Sequence, residues 1–417
     1  MIMQVLRTGA GSSRELIYVN RIFTNELLLC PPGSKSLRRK NYEIMKQQAD
    51  VAIVGAGIVG LAHAYMALRK GLSVVLFERE QFAVGASVRN FGMVWPVGQE
   101  PRGGLDRALR SREHWQEVAA QAGFWINANG SLHLAYEKDE MDVLEEFVAL
   151  YRNCGYQCEL ISPAKAVQKS KVISEKGLKT ALWSETEMIV YPREAIRRIP
   201  MWLEEKFGLS LRFGHVVTGI DLPQVFTARG TWHVGRVVVC SGADFETLFP
   251  QVFEKQGLIK CKLQMMKAVP VSPVDIGPSL CAGLTLRHYA AFSKCGSLKT
   301  LDARYDRQNP KLKEHGIHIL VSQNREGELI IGDSHHYFKT VEPFDSEEVS
   351  DLIQEELRKF LSIDYRITER WNGVYPKFPG HLDTVIEPAP GVQVVNGLGG
   401  AGMTLSFGLA EEVVSRW

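Results

Sequence analysis

Three glycines and one acid carry the clearest chemical pattern in this chain of 417 residues. Gly55, Gly57 and Gly60 stand on G-x-G-x-x-G spacing within VAIVGAGIVGLAHAYMALRKGLSVVLFERE. Glu78, with Arg79 beside it, follows about 20 residues past the turn. The first glycine allows a tight turn, the second lets backbone approach a pyrophosphate, and the third lets a helix pack close to a strand. A helix opening at Ile58 would present unpaired N–H groups and a positive dipole end to the phosphates. A carboxylate at Glu78 can accept the hydroxyls of an adenosine ribose, and its charge would repel the 2′-phosphate of NADP. FAD and NAD both remain open on these residues.

The elements that must position this pattern are legible around it. Val51 to Val54 is a short apolar run suited to a strand buried on both faces. A helix from Ile58 to Lys70 follows, Gly71 closes it, and Ser73 to Phe77 makes a second apolar strand ending at the acid. Strand, glycine turn, helix, strand and acid in that order make the triplet more than a chance spacing in a sequence with 37 glycines.

Length and a hydrophobic content of 45% allow two or three domains with sizeable cores. The formal charge of +2 hides an uneven start: residues 1 to 44 hold seven Lys/Arg against three Glu, leaving 42 basic and 44 acidic residues in the remainder. Nothing global points to nucleic acid. No run approaches the roughly 20 apolar residues of a membrane span. Seven scattered cysteines imply no disulfide framework, and Cys154 and Cys158 lack a second Cys/His pair for zinc. A reducing cytoplasm is the expected location. Residues 1 to 44 precede the fingerprint strand and read as an N-terminal extension, disordered or wrongly started, with Met45 as the functional beginning.

From Gln81 the chain reads QFAVGASVRNFGMVWPVGQE, rich in turn-forming residues, as a loop crossing a ligand would be. Arg110 to Ala120 reads as helix, NGSL at 129 to 132 as a hairpin turn, Glu137 to Leu150 as an acidic amphipathic helix, and Pro192 as the first turn of another helix. Between Lys262 and Glu369 short β-forming runs appear, GLTLRHYAAF at 283 to 292 among them, and then an amphipathic helix around Ser346 to Leu361. His318, His335 and His336 are not on metal-ligand spacing with carboxylates and read as structural or exposed, so no metal site is expected. The chain closes on a strand from Val392 to Val395, glycines 397, 399, 400 and 402, and a helix from about Met403 to Val414.

Gly85, Ala86, Ser87, Arg89, Asn90 and Gly92 resemble the segment after the ribose acid in the D-amino-acid oxidase, glycine oxidase and sarcosine oxidase (DAO) superfamily. There it runs along the FAD pyrophosphate toward the flavin. LRFGHVVTGI resembles the strand whose backbone, near Val217, contacts adenine, and GRVVVCSGAD the strand that ends below the cofactor, at Gly242. In that superfamily the C-terminal helix, here Gly399, Gly400, Gly402, Met403 and Thr404 onward, aims its N-terminus at the flavin. A second glycine-to-helix site of this kind selects FAD over NAD.

The resemblance implies an α/β protein: a discontinuous Rossmann-like FAD-binding domain of the glutathione-reductase-like FAD/NAD(P)-binding kind, with an inserted α+β substrate domain. The expected division is 45–125, 186–262 and 370–417 for FAD, and 126–185 and 263–369 for substrate. The implied reaction is oxidation of the C–N bond of a small amine by hydride transfer to flavin N5, the imine then being hydrolysed. Tyr375, Arg89 and Arg287 are the catalytic candidates, with Arg102, His288 and Tyr289 as further pocket candidates. Three departures stand out. Tyr375 occupies the place of the arginine that clamps the substrate carboxylate, Gly373 the place of the cysteine that attaches FAD, and Ile330 the place of an oxygen-activating lysine. FAD is therefore expected to be non-covalent, and the electron acceptor, oxygen or another, stays open. The closest overall pattern is the FAD-dependent oxidoreductase family associated with phosphonate catabolism, which points to an aminophosphonate. An amino-acid oxidase or dehydrogenase and a non-catalytic FAD-binding scaffold are the alternatives.

Overall fold

The computed structural model describes residues 47–417, and the expected extension over residues 1–44 lies outside the described residues. Its first layer is a largely parallel sheet. Gln48–Val54 lies between Val74–Glu78 and Gly230–Val239, Ser210–Phe213 flanks the former, and Val392–Asn396 flanks the latter, all in parallel. Beyond Gly230–Val239 the sheet divides: the antiparallel pair Gln224–Thr227 and Val217–Asp221 adds to the start of that strand, Thr384–Ala389 adds to Val392–Asn396 at its end, and Ser210–Phe213 is the opposite edge.

Period-two alternation sorts these strands onto two cores. Ile53, Val74, Leu76 and Val238 join one cluster with Tyr65, Trp115, Trp202 and Phe407, which come from the helices Ile58–Arg69, Gly103–Ala122, Pro192–Phe207 and Gly402–Ser415. Ala52, Val75, Phe77, Val237 and Val239 face the other way, onto Trp232 and Phe253. Burial on both faces explains why the strands read as unbroken apolar runs.

A nine-stranded, mostly antiparallel sheet forms the second layer. Its backbone is the pairing of Ile259–Pro270 with Tyr365–Lys377, which continues from Ile259 opposite Lys377 to Pro270 opposite Tyr365. Met266, Ala268, Leu329 and Ile331 face a core capped by the helices Lys138–Tyr151 and Glu347–Arg358. Leu263, Met265, Ile330 and Tyr375 point to the opposite face, toward the first layer. Ile330, at the place of the expected lysine, is thus a buried apolar side chain on that face.

Three expectations for local structure are corrected. Residues 129–132 form no hairpin: Ile126–Asn127 pairs in a three-stranded sheet with Met188–Val190, while Ser131–Ala135 pairs in the large sheet with Thr180–Ser184. Gly130 makes the crossing, at φ 68°, where a Cβ would lie 2.2 Å from the Trp183 ring. The run 283–292 is no strand. It folds as the helical turn Thr285–His288 followed by a 3-10 turn, after Gly283 at φ 60° ends Ser279–Ala282 and Thr285 Oγ1 donates to the Ala282 and Ile319 carbonyls. The run 211–220 is two strands, broken at Gly214 with φ 65°. No helix among the described residues is long and apolar enough to cross a membrane.

Candidate active site

A cavity of about 540 Å³ opens at the carboxyl ends of the parallel strands and continues between the two sheets. Carboxyl ends are where open α/β sheets bind ligands, because the chain diverges there and leaves a crevice. Three groups of residues build it.

The first is the glycine turn. Gly55, at φ 104°, ties its N–H to the Phe77 carbonyl at 2.7 Å, and a Cβ there would lie 2.4 Å from the Cys240 carbonyl oxygen. Gly57 caps the helix Ile58–Arg69 and faces the cavity. Glu78 is buried at the strand end, where Oε2 accepts the Ala56 N–H at 2.9 Å and Oε1 the Glu80 N–H at 3.1 Å. Ser87 Oγ accepts the Ile58 N–H at 2.9 Å, so the loop after the acid is pinned to the helix start. Asn90 secures the same loop by accepting the Gly92 N–H and donating to the Ala86 carbonyl.

The second group is the C-terminal helix. Gly397 and Gly399 take φ of 77° and 58°, turning Val392–Asn396 into Gly402–Ser415. Trp115 Nε1 donates to the Met403 carbonyl at 2.7 Å, and Thr404 Oγ1 accepts the Trp95 N–H at 2.9 Å, so the helix start is held from two sides. This helix and the one at Ile58 begin on the same cavity.

The third group closes the far end as an aromatic chamber. Trp95 and Tyr289 stack with ring centroids 6.0 Å apart, and Leu263, Met265, Leu320 and Tyr375 complete its apolar wall. His288, His318, His335 and Asp333 line the same space. Burial pushes the Asp333 carboxyl well above the usual range, the His288 and His318 imidazoles well below theirs, and His335 down to about 4. Burial also raises the Tyr375 phenol, which keeps it a neutral donor.

Of the residues singled out from the sequence, Gly55, Gly57, Ile58, Glu78, Arg79, Ser87, Arg89, Asn90, Val217, Gly242, Tyr375, Gly399, Gly400, Gly402, Met403 and Thr404 line this cavity. Arg79 is paired with Asp244. Gly60 and Gly92 do not line it. A Cβ at Gly60 would meet the Gly55 carbonyl oxygen at 1.9 Å, and one at Gly92, φ 76°, would meet that of Val190 at 1.9 Å, so both are glycine because backbone packs against backbone. Arg287 is corrected outright. It is exposed and pairs with Asp302 at 2.7 Å, because the helical turn that replaces the expected strand points it away from His288 and Tyr289. Arg102 is exposed and does not line the cavity either. Trp95, His318, Asp333, His335 and Lys377 join the lining without any local spacing to mark them.

These residues fit FAD. Bare glycine backbone at 55, 57, 242, 399 and 400 faces the cavity, two helix starts supply positive dipole ends, and a buried carboxylate stands where a ribose would need an acceptor. Gly373, at the position of covalent attachment in some relatives, carries no nucleophile, and a side chain there would have to displace Leu263. Its Cβ would lie 2.9 Å from Leu263 Cδ1.

Comparison with known proteins agrees with this geometry. The family model described as "DAO: FAD dependent oxidoreductase" matches residues 50–416. The structure of L-proline dehydrogenase from P. horikoshii superposes with a TM-score of 0.71 at 19% identity, covering 89% of this chain and 93% of that one. Glycine oxidase from Geobacillus kaustophilus gives 0.70 at 19% identity, covering 89% and 95%. Among curated sequences, a glycerol 3-phosphate dehydrogenase from Caloramator mitchellensis is 25% identical over 201 residues, 46% of this chain and 42% of its own length. The chain spans less than half the length of the curated relatives it matches. With nearly all of the described residues inside the family match, the chain belongs to the DAO family of FAD-dependent oxidoreductases.

Proposed function

We propose that this enzyme oxidises the C–N bond of a small amine carrying an anionic group beyond the reacting carbon, an aminophosphonate being the chemistry that fits best. Gly55, Gly57 and the helix start at Ile58 would hold the FAD pyrophosphate, Glu78 the ribose, Val217 the adenine, and Gly399 to Thr404 the flavin end. When bound, FAD supplies a hydride acceptor. The chain's own part is to bind the amine in the aromatic chamber, orient the carbon bearing the hydride, and exclude water until the imine has formed.

One observation carries the substrate reading: the cavity presents the neutral Tyr375 beside the C-terminal helix and includes Arg89 and Lys377 in its lining. A Cβ on Gly400 would lie 3.6 Å from the Tyr375 hydroxyl, so a phenol stands where an arginine clamp is expected. Arg89 and Lys377 also line the cavity and donate to neutral acceptors, the Asn372 carbonyl at 3.3 Å and the Tyr337 hydroxyl at 3.0 Å. Their charge stays available for an anion that reaches further than a carboxylate on the reacting carbon. The names of the compared proteins support the two halves of such a substrate: proline and glycine are amines, and glycerol 3-phosphate is a phosphoryl anion.

Anaerobic rapid mixing tests the reading. An N-methylated 2-aminoethylphosphonate is expected to bleach the flavin faster than glycine, sarcosine or D-alanine. Fast bleaching by glycine or D-alanine with none by any aminophosphonate would make the enzyme an amino-acid oxidoreductase. A flavin that stays yellow with every amine would make the chain a binding scaffold.

A further inference from the structure

Three histidines far apart in the chain meet on the wall of the chamber. His288 ends the helical turn Thr285–His288, His318 leads into Ile319–Gln323, and His335 leads into His336–Phe338. Each offers a ring nitrogen, and these atoms lie within 4.8 Å of one another. His335 Nδ1 stands 3.1 Å from the Gly316 carbonyl oxygen, which makes Nδ1 the N–H and leaves the Nε2 lone pair free. Metal-binding histidines show this arrangement, because a carbonyl partner fixes the tautomer and aims the ring.

Among the described residues, the atoms between these rings lack partners. Both nitrogens of His318 and Oδ1 of Asp333 are buried without a hydrogen-bond partner. Asp333 Oδ1 lies 3.2 Å from His318 Nε2 and 3.9 Å from His335 Nδ1, close enough for charge interaction but not aligned for a hydrogen bond. Buried polar atoms without partners are few in any folded protein, and three of them meet here.

We propose that His288, His318 and His335 bind one divalent transition ion of the zinc class, with the fourth position open to the cavity. Imidazole is a ligand such an ion takes at about 2.0–2.1 Å, which sets neighbouring donors of a tetrahedral site about 3.3 Å apart. The rings must therefore turn toward each other. They border an open cavity that leaves room for this: the His318 and His335 rings are stacked, 18° from parallel, and the His288 centroid lies 3.9 Å from that of His318, so their in-plane lone pairs run side by side until the rings rotate. An ion at this wall faces the lumen. The proposal stands whether or not the substrate is an amine.

The test uses the full, untagged, FAD-loaded chain after chelator treatment and dialysis. Calorimetric titration with zinc is expected to give one equivalent per chain, and the zinc-edge X-ray absorption spectrum to show imidazole scattering with nitrogen and oxygen donors only. His318→Ala and His335→Ala should weaken zinc by on the order of tenfold or more while retaining FAD. His315→Ala, whose ring pairs with His336 outside the cluster, should bind zinc as the parent does. Absence of one-equivalent binding, a spectrum without imidazole, or undiminished affinity in both folded variants overturns the proposal. If neither variant folds, the wild-type titration and spectrum decide it alone.

Discussion

Replacing Gly57 by valine separates cofactor binding from folding. Gly57 sits at φ −69° and ψ 171°, extended backbone that any residue adopts, so the substitution adds no backbone strain. Its Cβ would lie 3.0 Å from Ser87 Oγ, and the rest of the side chain would enter the cavity at the helix start. The Ser87 contact is met with or without FAD, but the methyl groups entering the cavity meet only the bound cofactor; overpacking there costs roughly 1–3 kcal/mol, which predicts FAD affinity lower by about 5- to 150-fold. Gly60→Ala is the contrast. Its Cβ would lie 1.9 Å from the Gly55 carbonyl oxygen and 3.2 Å from Ile53 Cγ2, so helix and strand must separate with or without FAD. The assay pairs FAD occupancy, from the ratio of flavin to protein absorbance, with denaturant unfolding of the cofactor-free protein. Gly57→Val should unfold like the parent and bind FAD poorly, whereas Gly60→Ala should unfold earlier. Full FAD occupancy in Gly57→Val, or a cofactor-free protein as unstable as Gly60→Ala, would refute the assignment of the cavity mouth to the pyrophosphate.

Glu78→Ala should weaken FAD by roughly 1.5–3 kcal/mol, the worth of hydrogen bonds to a charged acceptor, measured by equilibrium dialysis; an unchanged dissociation constant would show that Glu78 serves only the Ala56 and Glu80 amides. Acid precipitation should leave the yellow colour in the supernatant, since Gly373 offers no nucleophile; a coloured pellet would locate a covalent link elsewhere. Arg304→Ala should cost about 3–5 kcal/mol in urea unfolding, because the guanidinium answers two buried carboxylates, Asp139 at 2.7 Å and Glu140 at 2.8 Å, that would be left uncompensated. A loss below about 1 kcal/mol would place that pair among ordinary surface contacts.

The cofactor end of this protein was legible in the chain because its signals are local. Gly55, Gly57, Gly60 and Glu78 owe their spacing to one turn, one helix and two strands contiguous in sequence, and the C-terminal glycines likewise precede the helix they start. Backbone that must bend or approach closely leaves glycine behind, and glycine is visible without a structure. The chamber has no such signature. Tyr375, Trp95, His318, Asp333 and His335 reach it from separate strands and loops, and only the pairing of Ile259–Pro270 with its neighbours in the large sheet sets which side chains face inward. A one-residue change of register would send Leu263 and Met265 to the opposite core. For the same reason the fate of Arg287 could not be read from its neighbours. The run 283–292 is rich in strand-forming residues, yet Gly283 and the two hydrogen bonds of Thr285 turn it into a helical segment that carries the arginine outward to Asp302 and leaves His288 inside. Local chemistry determined where a dinucleotide could lie; long-range strand pairing decided what would face it.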